Sequence, residues 1–192
     1  MLSLLPHAAK AQGTTAINVG FSYQMNWQSV KDNINYPEYI GATIGFEVPV
    51  LPVAGIEAGL WTGQYSQTLG YREYQHARAM LKGFVIAPFI APTVYVPLGR
   101  NAHTVFLRNE FAYAFQHLNR DEYGDGDFTV LKYPKRQFAY KVSVGYRYNF
   151  SEHVAGSAAA GYSTFNYLKG SRPNGFKTST PFAVDIRLHY SF

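Results

Sequence analysis

No cysteine occurs among the 192 residues, which excludes disulfides but says little about compartment. Charge is scarce at 15%, well below what covers an ordinary soluble surface. No run of about 18 apolar residues exists either, so a transmembrane helix is excluded. Aromatic residues are abundant at 17%, with 16 Tyr and 14 Phe, and these side chains favour strands. At this length the chain is most simply one domain.

What replaces the missing runs is alternation. Phe182, Val184, Ile186, Leu188, Tyr190 and Phe192 occupy every second position, with Ala183, Asp185, Arg187, His189 and Ser191 between them. A strand sends alternate side chains to opposite faces, so one face here is apolar and the other carries charge. The same pattern predicts strands over Ile17–Trp27, Ile40–Val48, Val105–Gln116 and Gln137–Phe150. Ala54–Tyr65 and Val154–Tyr167 are weaker, rich in Gly, Ala and Ser. Lys82–Leu98 carries Pro88, Pro92 and Pro97, and each proline removes a ladder hydrogen bond. A bulge, a kink or a late start is expected there. The total is eight strands. Short turns at Val48–Pro52, Leu98–Asn101 and Phe150–His153 alternate with long polar segments around Gln28–Glu38, Ser66–Arg78, Leu118–Lys135 and Leu168–Ser179.

The closing strand, with its terminal Phe and an aromatic two residues earlier, resembles the last strand of bacterial outer-membrane β-barrels. The chain as a whole is similar to the small OmpX and OmpA-transmembrane-domain type. The fold expected is all-β, an eight-stranded antiparallel up-and-down transmembrane barrel. Short periplasmic turns and longer external loops are the rule in such barrels, so both termini are expected in the periplasm. The resemblance implies that Leu188, Tyr190 and Phe192 are read by the barrel-assembly machinery. It implies partnership with outer-membrane lipid and lipopolysaccharide, and with other envelope proteins as an open alternative. Met1–Gln12 reads as the remnant of a secretory signal, with Ala9-Lys10-Ala11 as a small-x-small cleavage site. Residues 1–11 are then residual signal and 12–192 the barrel, although a plain N-terminal tail also fits.

If the apolar faces meet lipid, no charge should fall on them, since Lys or Arg at mid-bilayer costs about 2–4 kcal/mol. Parity assigns Glu47, Glu57, Arg108, Glu110, Lys141, Arg147, Asp185 and Arg187 to the polar face, four acids against four bases. An eight-stranded barrel is narrow enough for side chains to fill it. Buried charges must be paired, and this set sums to zero. His189 is expected inside with them. The net +5 then lies elsewhere, and Lys169, Arg172 and Lys177 contribute three of it in the last long segment. These suit phosphate on a glycolipid leaflet; ordinary solvated loop charge fits equally well. Trp27, Tyr39, Tyr148 and Tyr190, near strand ends, are expected in interfacial belts. Nucleic acid is a poor fit, because the positive charge forms no stripe.

No residue set carries a convincing catalytic, cofactor or metal assignment. His189-Tyr190-Ser191 superficially resembles the His-x-Ser portion of lipid A deacylases, but the pair should face inward and Phe192 stands where the family has Asn. His117 beside Arg120, Asp121 and Glu122 has no spaced nucleophile. Asp121–Asp127 offers oxygens without EF-hand spacing. Three functions stay open: a non-catalytic barrel acting through its loops or as an accessory subunit of an envelope complex, a narrow channel for small or apolar solutes, and a lipid A-modifying enzyme.

Overall fold

The computed structural model describes residues 14–26, 38–72, 77–99, 102–123, 136–164 and 181–192. The signal remnant, Trp27 and the loop cations Lys169, Arg172 and Lys177 lie outside these residues. Eight strands follow one another: β1 (Ala16–Asn26), β2 (Glu38–Leu51), β3 (Ala54–Arg72), β4 (Ala77–Leu98), β5 (His103–Tyr123), β6 (Arg136–Asn149), β7 (Val154–Ser163) and β8 (Pro181–Ser191). Each pairs antiparallel with its chain neighbour, and β1 pairs with β8, closing the barrel. Closure removes the unpaired edges that an open sheet would expose. The seam is pinned where the Phe192 N–H donates to the Thr15 carbonyl at 3.0 Å, and on the β7 side of β8 the Ser191 N–H donates to the His153 carbonyl at 2.8 Å.

The two ends of the barrel differ. At one, tight turns join β2 to β3, β4 to β5 and β6 to β7, at the same end as the Ala16↔Ser191 pair of the β1–β8 seam. Gly99, with φ of 67°, makes the left-handed bend after β4. At the opposite, loop end, β3, β4 and β5 extend well past their expected limits, to Arg72, from Ala77 and to Tyr123. Much of Ser66–Arg78 and part of Leu118–Lys135, read from sequence as loop, is therefore hairpin. Polar residues there hide the strand, because no apolar face remains to alternate.

The prolines of β4 act differently from expectation. The β4–β5 pairing keeps a single register from Arg78↔Tyr123 to Leu98↔His103, with no bulge or late start. It lacks bridges at Ala87, Pro88, Ala91 and Pro92, whereas β3 pairs with all four. The missing N–H groups thus fall on the β5 side. In that register Pro88 stands opposite Tyr113 and Pro92 opposite Asn109, whose carbonyls lose their ladder donors. Pairing with β3 keeps all four residues in the sheet.

Side chains partition sharply. Ile44, Phe46, Ile90, Val144, Ile186 and Leu188 all face outward, each at least 48% exposed. Lys82 and Arg136 face outward at the loop end, Arg136 over the Phe115 ring at 5.8 Å. Between the turns and this rim, no Asp, Glu, Lys or Arg among the described residues faces outward. Such an exterior is stable only against an apolar medium. Replacing the outward Ile186 by Arg is expected to cost about 2–4 kcal/mol of folding free energy in lipid vesicles. Urea titration scored by heat-modifiable gel mobility reads this, and Ile186→Leu should leave the midpoint unchanged.

Candidate functional site

Among the described residues, charged side chains collect in the interior. All eight charged residues named above point into the barrel, none more than 9% exposed. Their strands bring them there from both walls. β3 supplies Glu57, β5 supplies Arg108 and Glu110, β6 supplies Lys141, and β8 supplies Asp185 and Arg187. Arg108 pairs with Glu57 through Nη1 and with Glu110 through Nη2 at 3.1 Å. Arg187 reaches the same two carboxylates, Glu57 at 2.9 Å and Glu110 at 3.4 Å. Lys141 bridges Glu110 at 3.2 Å and Asp185 at 3.0 Å. Three carboxylates and three cations thus form one connected, neutral cluster across the lumen.

Glu47 and Arg147 stand apart from that cluster, nearer the turn end, as a looser pair at 3.7 Å. Here the carboxylate depends on neutral donors. The Tyr95 hydroxyl donates to Glu47 Oε1, and Asn18 Nδ2 to Oε2 at 3.2 Å. Asn18 Oδ1 lies 2.6 Å from His189 Nδ1, and His189 Nε2 lies 2.7 Å from Ser157 Oγ. With Asn18 already donating to Glu47, the consistent tautomer puts the proton on Nδ1, and Ser157 donates to Nε2. Serine, histidine and asparagine have the order of a nucleophile, a base and its orienter. Yet all three are enclosed and face the lumen rather than the outer surface, and the relay ends in a carboxylate held by three groups, Tyr95, Asn18 and Arg147. Its chemistry is that of a satisfied hydrogen-bond relay.

Packing completes the plug. Phe89 lies beneath both guanidinium groups, 5.3 Å from Arg108 and 5.9 Å from Arg187, a stacking arrangement that favours Arg. Gly45 leaves room for Glu57, since a Cβ there would collide with its carboxylate. Tyr39 and Trp61 meet edge to face at 5.0 Å and fill the lumen toward the loop end, among Ala87, Ala112, Ala114 and Ala139. The cavity left beside the relay measures about 20 Å³, room for about one water molecule.

Sequence reasoning misplaced Tyr39. It is 1% exposed and faces inward, on the parity of Gly41 and Thr43, and takes no part in an interfacial belt. Tyr148 and Tyr190 do face outward at the turn end, alongside His103, Tyr146, Phe150 and His153. His117 is exposed on the outward face near the loop end, and Asp121 and Glu122 continue β5. Leu188, Tyr190 and Phe192 form an outward row. No group of three His, Cys, Asp or Glu among the described residues has metal-binding geometry. Asn18, Phe89, Tyr95 and Ser157 were not anticipated. Parity alone marks Asn18 and Ser157, whereas Phe89 and Tyr95 are masked by being apolar on an inward-facing row.

No family model matches this sequence, and no curated protein is similar to it at the sequence level. Solved structures are more informative. The chain is similar to the outer membrane protein OprG of Pseudomonas aeruginosa, with 14% identity over 94% of this chain and 96% of that one and a TM-score of 0.56. It is also similar to Neisserial surface protein A, with 8% identity over 93% and 97% and the same TM-score of 0.56. The chain has the fold of the small outer-membrane β-barrels. At these identities the likeness concerns that fold alone.

Glu57 contacts two cations, so Glu57→Ala leaves Arg108 and Arg187 sharing Glu110 and the cluster one buried positive charge in excess. Breaking a buried pair costs about 3–5 kcal/mol, and urea unfolding from vesicles should show a loss of that size. Adding Arg187→Met to Glu57→Ala is expected to recover part of it, and simple additivity of the two substitutions would contradict the pairing.

Proposed function

We propose that this chain is a non-catalytic barrel of the bacterial outer membrane, with both termini on the periplasmic side and a lumen closed by side chains. It acts through its loop-end surface, or as an accessory subunit of an envelope complex. The observation that carries this reading is the neutral six-charge cluster spanning the lumen. A conduction path needs sites that ions enter and leave, and here each charge is already matched by protein. Catalysis is disfavoured for a related reason, since the histidine best supplied with partners is enclosed. The outward apolar band supports residence in a bilayer, and the fold supports the outer membrane. Lys169, Arg172 and Lys177 are proposed to meet lipopolysaccharide phosphate, on the strength of sequence alone.

Planar-bilayer recording on purified, refolded protein tests this. Wild type should be electrically silent, whereas Glu57→Ala combined with Arg108→Ala should produce discrete conductance steps. Steady single-channel currents from wild type would favour a channel instead.

A further inference from the structure

Thr93 sits on the inward row of β4 between Ala91 and Tyr95, paired with Gly55 on β3 and Arg108 on β5. It is 4% exposed, and its hydroxyl makes no hydrogen bond among the described residues. A hydroxyl so deeply buried costs free energy unless it finds a partner. Thr93 lines the small cavity beside the relay, together with Glu47, Tyr95, Phe106, Arg147 and Ala159.

The same cavity borders a second incomplete contact. Glu47 and Arg147 approach only to 3.7 Å, beyond hydrogen-bond reach, although both are buried. A polar gap of that length is where a bridging water belongs. Small residues keep the space open. Ala159 forms part of the wall, and a Cβ at Gly55 would come within 3.1 Å of Glu47 Oε1.

We infer that this cavity is a binding site for one structural water molecule, which bridges Arg147 to Glu47 and satisfies the Thr93 hydroxyl. Three observations carry the class of occupant. The volume of about 20 Å³ suits a single molecule of that size. Polar side chains share the wall with Phe106 and Ala159, whereas cavities that stay empty are apolar. The charges around it, Glu47, Glu57 and Asp185 against Arg108, Arg147 and Arg187, sum to zero, which favours a neutral occupant over an ion of either sign. Accepting from Arg147 and Thr93 and donating to Glu47, the water makes the three hydrogen bonds typical of a buried one. The turn side of the plug is then built from protein and water together. The inference rests on the closed lumen, which bilayer recording tests separately.

Crystals of the full-length protein that diffract far enough to show ordered solvent test this directly, with one crystal soaked in sodium bromide. The expected result is a solvent peak within hydrogen-bond distance of Thr93 Oγ1 and of Glu47 or Arg147, with no anomalous bromide signal. An empty cavity, a bromide ion in it, or a Thr93 hydroxyl bonded directly to protein would overturn the inference. Thr93→Val gives an independent readout, since it keeps the side-chain volume and removes the hydroxyl. Were the hydroxyl an orphan, the substitution would raise the urea midpoint in vesicles. Loss of a partner from a bound water lowers it instead, so a lowered midpoint with heat-modifiable mobility retained is expected. A raised or unchanged midpoint would overturn the inference, and the crystals decide alone should Thr93→Val fail to fold.

Discussion

The structure depends on a single electrostatic constraint. A closed sheet with an apolar exterior has nowhere but its lumen to keep charge, and a lumen this narrow holds charge only as neutral, hydrogen-bonded sets. Glu57 and Glu110 satisfy that constraint jointly, each accepting from both Arg108 and Arg187, with Lys141 linking Glu110 to Asp185. No charge in the cluster could be removed without leaving another buried and unmatched. The cluster also ties together β3, β5, β6 and β8, strands that do not all touch through the backbone.

Shape follows from the same arrangement. Long side chains converge at mid-height, and small residues make room for them. Gly45 faces Glu57, and a Cβ at Gly145 would strike the Phe106 ring. Toward the loop end the charges give way to four alanines opposite Tyr39 and Trp61. Weak per-strand hydrophobicity is thus a consequence of a filled barrel, in which small and large residues alternate around the lumen as well as along each strand.

Much of this fold is legible in the sequence, because alternation reports directly on which face of a strand each residue occupies. Parity places Asp185 and Arg187 opposite Ile186 and Leu188, and the structure has the first two inside and the others outside. Pair identity is not legible. Arg187 meets Glu57 across 130 positions and Glu110 across 77, contacts set by barrel closure rather than by local pattern. Tyr39 illustrates residue type overriding parity: tyrosine near a strand end suggests an interface, but its row runs through Gly41 and Thr43 into the lumen. The prolines of β4 show that a lost hydrogen bond need not shift a strand's register when the neighbour on the other side pairs through those positions.

The central claim is that the mid-lumen cluster seals one end of the barrel from the other. Asn149 lies on the inward row at the turn end of β6, on the turn side of the cluster, and is only half-buried. The most direct measurement is the reaction of a single Asn149→Cys, in oriented vesicles, with a small membrane-impermeant thiol reagent added from one side at a time. The account predicts labelling from the turn side only. Labelling from the loop side at a comparable rate would mean an open lumen and would contradict it.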